Sequence, residues 1–139
     1  VWQRTFDDSE LKPLIVCDEE KLFIASSAGI LWAIDSSNNA LWSLRVGDVD
    51  AMIITQMGRV LVFSGGKIHL VSSETGVLLQ SFDLPYPVSS FPVMTKDGRI
   101  IVPLEENTVA VYNFGDRPAS GWPMYLHDAR HSGLYVNHE

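Results

Sequence analysis

Cysteine is almost missing from this chain: Cys17 stands alone among 139 residues. A single cysteine excludes an intrachain disulfide and leaves the redox compartment undecided. Its apolar neighbours Ile15 and Val16 predict a small buried hydrophobe rather than a reactive thiol. Positive charge is scarce as well. Ten Lys and Arg stand against 17 Asp and Glu, a formal net charge of -7. That balance leaves no basic face for nucleic acid or for an anionic membrane surface. Long apolar runs are lacking too. The best, Leu22 to Ile34, is broken by Ser26-Ser27 and bounded by Lys21 and Asp35, short of the roughly 18 residues that membrane insertion as a helix requires. No segment sustains a 3.6-residue apolar period, so little helix is expected. An initiating Met is also missing, since the chain opens at Val1, and we expect a processed product or a piece of something longer.

What is present is ordered and repetitive. Hydrophobic residues make up 46% and charged residues 19%, the balance of one globular domain with a real core. The stretch Lys67 to Phe82 reads as a strand with alternating Ile68 and Leu70, a turn at Glu74-Thr75-Gly76, and a second strand from Val77. The same thought recurs on either side. Leu14–Cys17, Lys21–Ala25, Ile30–Ile34 and Ala40–Leu44 form one set of four strands. Met52–Thr55, Val60–Phe63, Lys67–Val71 and Val77–Phe82 form the next. Phe91–Met94, Arg99–Val102, Thr108–Tyr112 and a segment near Trp122 form a third, and Val1–Phe6 matches the last strand of a further set. Lys21, Arg59 and Arg99 each open a second strand. Ala33, Leu70 and Ala110 are assigned to one inward site of the third strand, and Trp2, Trp42, Gln80 and Trp122 to one site of the fourth. A repeat of about forty residues carrying four short strands is the signature of a propeller blade. The fold class is therefore all-β: a β-propeller portion of three four-stranded antiparallel blades, at 14–44, 51–84 and 91–124, with residues 121–139 as a closing tail.

Ala33-x-Asp35 followed by a polar turn and Trp42, and Ser72-Ser-Glu-Thr75-Gly76 followed by Gln80, resemble the PQQ-like β-propeller repeat. That repeat reads roughly Ala-x-Asp-x-x-Thr-Gly-x-x-x-Trp. The first copy has Asn38-Asn39 for Thr-Gly, the second has Ser72 for Asp and Gln80 for Trp, and in the third Gly115-Asp116 makes the turn. Enzymes and scaffolds share the repeat, so it speaks for fold rather than function. Some relatives are dehydrogenases that use pyrroloquinoline quinone and calcium beneath adjacent cysteines. With Cys17 alone that arrangement cannot be built here, and no cofactor is expected unless this is a fragment of such an oxidoreductase with its centre in missing blades. The resemblance also implies a periplasmic or cell-surface setting.

Three blades do not close a ring, because propellers have four to eight. The chain is expected to be part of a larger propeller, or else to pair as a homodimer into a six-bladed ring, or to cover its ends with swapped strands. Candidate chemistry is sparse. His127 and His131, spaced i, i+4, are the candidate metal ligands. Gly47-Asp-Val-Asp50 has two carboxylates of a calcium loop but not the rest, and reads as an inter-blade turn. Ser64-Gly-Gly-Lys67 has no helix after it to bind phosphate and reads as a hairpin. Glu105-Glu106 is expected to be solvated. Tyr86, between two prolines, is the candidate exposed aromatic contact, against the reading that Pro85-Tyr-Pro87 only stiffens a link. The functional expectation is a non-catalytic module for protein–protein interaction or scaffolding.

Overall fold

Short strands joined by tight turns make up the computed structural model, which describes residues 11–18, 20–26 and 29–120. The first sheet holds β1 (Leu11–Cys17), β2 (Lys21–Ser26), β3 (Ile30–Asp35) and β4 (Ala40–Arg45), in that order. The second holds β5 (Val49–Ile54), β6 (Arg59–Ser64), β7 (Lys67–Ser72) and β8 (Leu78–Asp83). The third runs β9 (Val93–Met94), β10 (Arg99–Leu104) and β11 (Thr108–Asn113). Every pairing is antiparallel, and no helix occurs among the described residues. The fold is all-β and propeller-like. The fourth strand expected near Trp122, the strand expected at Val1–Phe6 and the closing tail lie outside the described residues.

Turn chemistry sets the hairpins. Gly65 and Gly66 have φ of 57° and 77° between the paired Ser64 and Lys67. Two consecutive positive φ angles define a two-residue turn that matches strand twist, and glycine adopts them without penalty. Asp35 closes the β3–β4 turn by accepting the Ser37 and Asn39 amides on Oδ1, each at 2.9 Å, the local bonding for which aspartate is favoured in turns. After each of these third strands the partner bulges. Ala33 pairs Trp42 and Ile34 pairs Ala40, leaving Leu41 over; Leu70 pairs Gln80 and Val71 pairs Leu78, leaving Leu79 over.

The core lies between sheets. Phe23, Ala25, Leu31 and Ala33 of the first blade pack against Val60, Val62 and Val71 of the second. Leu61, Phe63, Ile68 and Leu70 of the second pack against Ile100, Val102 and Leu104 of the third. Successive strand side chains point to opposite faces. The unbroken apolar run Val60–Phe63 is therefore what a middle blade covered on both faces demands.

The first strand of the third blade departs from expectation. Only Val93 and Met94 form β9, not Phe91–Met94. Pro92 lacks an N–H and interrupts the ladder. Pairing resumes upstream, where Val88 bridges Leu104, the Glu105 amide donates to the Pro87 carbonyl, and the Ser89 amide donates to the Pro103 carbonyl. The second blade starts earlier than expected, at Val49 rather than Met52.

Candidate interaction surfaces

The pairs Lys21–Asp35, Arg59–Ser72 and Arg99–Asn113 sit at the same place in the three sheets and align them residue by residue. Leu31, Ile68 and Val109 then correspond, as do Ala33, Leu70 and Val111. This corrects the assignment of Ala110 to the Ala33 site. Ala110 pairs Val102 and packs backwards on the second blade. The cause is loop length: three residues, Glu105–Asn107, join β10 to β11, where two, Gly65–Gly66, join β6 to β7. The two-residue turn is the exception, since three residues also join β2 to β3, so a site counted forward from Leu70 falls one residue short in the third blade.

The corrected alignment exposes a contrast. Leu31, Ala33, Ile68 and Leu70 face the next blade and are at most 5% exposed. Val109 and Val111 occupy the same sites and are 62% and 58% exposed. On β10, Ile101 and Pro103 are half-buried where Phe23, Ala25, Leu61 and Phe63 are buried. The leading face of the third blade thus has the composition of an inter-blade core, and no described strand lies on it.

The first junction is latched by Trp42. Its Nε1 donates to the Ser73 carbonyl at 3.0 Å, its ring tilts on Phe23 with centroids 5.9 Å apart, and it lies over Gly76. A Cβ on Gly76 would sit 2.5 Å from the indole, and φ there is 74°. Glycine is thus required twice over at that residue. At the second junction Gln80 takes the register position of Trp42 and is exposed. Stacking replaces the latch: Phe82 lies on Phe114 at 5.0 Å, and Tyr112 on Phe114 at 6.0 Å.

After β11 the chain crosses the strand ends rather than turning straight back. The Gln56 amide donates to the Arg117 carbonyl at 2.6 Å, the Ala119 amide to the Ile54 carbonyl at 3.0 Å, and Thr55 bridges Pro118. Asp116 anchors this crossing. It is 4% exposed, and its Oδ1 accepts the Met57 amide at 3.0 Å and the Arg117 amide at 2.8 Å. Ala119 reaches the core between the first two blades. Nothing in the repeat pattern signals this segment, because its bonds reach back about sixty residues to the second blade.

The remaining candidates are surface features. Tyr86 is 42% exposed between Pro85 and Pro87. Asp48 is exposed in the link to β5, where the Asp48 and Val46 carbonyls share the Ser64 hydroxyl at 2.6 and 3.0 Å, and Asp50 is exposed on β5 itself. Glu105 and Glu106 are exposed. Cys17 is half-buried rather than buried, because the inward-facing residue at that end of β1 is Val16, 2% exposed. His127 and His131, with Trp2 and Trp122, lie outside the described residues, among which no group of three or more His, Cys, Asp or Glu is placed to hold a metal. His69 Nδ1 and Ser81 Oγ are 2.8 Å apart. Burial and the nearby Lys67 charge lower the His69 pKa below its ordinary value. The hydrogen bond is exposed, which suits a cross-strand pair better than an activated nucleophile.

No protein-family model and no curated protein matches the chain. Solved structures do. BamB from Moraxella catarrhalis superposes with a TM-score of 0.65 at 15% identity, over 84% of this chain and 40% of that one. A Bacteroides fragilis protein described as a candidate exported protein gives 0.61 at 16% identity, over 86% and 41%. BBS1N, solved in complex with ARL6DN, gives 0.61 at 12% identity, over 78% and 38%. The chain therefore spans about two fifths of the length of these structures. At such identities the likeness is one of fold alone, and the chain has the fold of a β-propeller portion.

Proposed function

We propose that this chain is part of a larger PQQ-like propeller that works as a protein–protein interaction module, without catalysis of its own. The observation that carries the reading is the exposure of Val109 and Val111 at sites buried in both other blades. A further blade on that face would bury them as Leu31 and Ile68 are buried. The PQQ-like assignment rests on the Ala33-x-Asp35 and Thr75-Gly76 repeats. The interaction role is supported by the likeness to BBS1N, solved with a protein partner, and by the absence of a buried catalytic grouping among the described residues. An extracytoplasmic setting draws support from the likeness to a candidate exported protein.

Light scattering across a dilution series tests the partial-ring reading. The chain alone should associate as concentration rises, and Val109→Lys with Val111→Lys should abolish that association. A native chain that stays monomeric throughout would overturn the reading. A discrete, stable two-copy species would overturn it in favour of a self-completing six-bladed ring.

A further inference from the structure

The outer strand of the second blade differs from its counterpart in the first at three of four successive positions, and the exposed surface there becomes more aliphatic. Asn39, Ala40, Leu41 and Trp42 begin β4 where Val77, Leu78, Leu79 and Gln80 begin β8, with Asn39 and Val77 just before the strand. The aliphatic side chains are exposed, Val77 by 55%, Leu78 by 49% and Leu79 by 54%. Gln80, in place of the inward-turned indole, is exposed as well.

This strip differs from the Val109–Val111 face in kind. Blades meet through their faces, so a completed ring would cover Val109 and Val111 yet leave the rim open. β8 is an edge strand, bonded only to β7 among the described strands. An edge presents outward amide and carbonyl groups to a second chain. From Leu78 to Asp83 it offers about 17 Å of extended backbone, enough for a five- or six-residue segment. Edges that avoid such pairing carry lysine, proline or a bulge; β8 has neither lysine nor proline, and its bulge at Leu79 leaves Gln80 to Asp83 in regular register. Glu74 stands before the aliphatic trio in a chain of net charge -7, while Asp83 at the strand's end is paired with Lys67 at 3.1 Å.

We infer that the β8 edge is a docking site for an extended segment of a partner protein. That segment adds as a fifth strand, sets aliphatic side chains on Val77, Leu78 and Leu79, and carries Lys or Arg at its end to meet Glu74. This is strand addition, in which main-chain bonds give affinity and alternate side chains give selectivity. The inference does not depend on how many blades complete the ring.

The probe is a fluorescein-labelled peptide, Lys-Val-Thr-Val-Thr-Val-Lys, titrated with the full chain and followed by anisotropy. Saturable binding is expected, with the Ser81 and Asp83 amides gaining hydrogen-exchange protection. Binding should weaken about tenfold or more when Leu79 is replaced by Lys, or when Val77 and Leu78 are both replaced by Thr. A peptide with Pro for the first Thr and for the central Val, which removes a donor from each edge, should not bind. Exchanging its terminal Lys for Glu should weaken it similarly. Far-ultraviolet circular dichroism would establish that each variant keeps its strands. No saturation by the first peptide on a folded chain would overturn the inference, as would equal binding by the proline peptide or by the Leu79→Lys chain. Either failure would leave the partial-ring reading standing, because that reading rests on β11.

Discussion

Replacing Gly76 by Ala should be costly in the native chain and much cheaper once Trp42 is removed. Two separate penalties act at Gly76. A left-handed φ of 74° costs an alanine roughly 1–2 kcal/mol wherever it occurs. The new methyl would also fall 2.5–2.8 Å from three indole carbons, an overpacking that adds about 1–3 kcal/mol as the ring is displaced. Gly76→Ala should therefore destabilise the chain by roughly 2–5 kcal/mol. Trp42→Ala alone should cost about 3–5 kcal/mol, since it also leaves the nearly buried Ser73 carbonyl without the Nε1 donor. In the Trp42→Ala background only the φ penalty survives, so the second substitution should cost roughly 1–2 kcal/mol. Urea unfolding followed by circular dichroism would yield all four corners of this cycle. Costs that add to within about 0.5 kcal/mol would refute the latch, because additivity is the behaviour of sites that do not touch.

Other consequences are as direct. Val111→Lys should change the stability of the isolated chain by no more than about 0.5 kcal/mol, whereas Leu70→Ala at the equivalent buried site should cost roughly 2–5 kcal/mol; thermal melts of the two would compare them. Asp116→Ala should destabilise by about 1–3 kcal/mol, measured by denaturant unfolding, because it strips a partner from the Met57 amide beneath the crossing segment. His69 has a folded pKa below its ordinary 6.5, so the unfolded chain binds its proton more readily. Its contribution is full above pH 6.5 and is lost as pH falls toward the depressed value. His69→Gln should flatten that fall in a series of unfolding curves across this range.

The repeat was legible because blades are local. Each hairpin is specified within about forty residues by alternating side chains and by turn residues such as Gly65-Gly66 and Asp35, so strand order followed directly. Trp42 pairs with Ala33 and Gln80 with Leu70, one register position in two blades. What failed was a step counted from the second blade, whose Gly65-Gly66 turn is one residue shorter than its counterparts in the other two. Ala110 looked like the small residue of the repeat, yet the three-residue Glu105–Asn107 turn moved Val111 into that site. Composition cannot reveal such a slip, although loop length could have. The crossing at Asp116 was illegible for a different reason. Its bonds reach from Asp116 back to Met57 and from Ala119 back to Ile54, and no periodicity records contacts at that separation. Exposure was the hardest to foresee. Val77, Leu78 and Leu79 read as an ordinary strand until β8 proved to be an edge.

Thiol labelling at position 111 tests the central claim most directly. In a Cys17→Ser background, Val111→Cys would be treated with maleimide in this chain alone and in the longest natural polypeptide that contains it, with Leu79→Cys as a rim control. The account predicts that position 111 reacts readily in the isolated chain and is protected in the longer protein by the blade that follows, while position 79 reacts in both. Equal reactivity of position 111 in both proteins would mean that the leading face of the third blade is a finished surface, and the partial-ring account would be wrong.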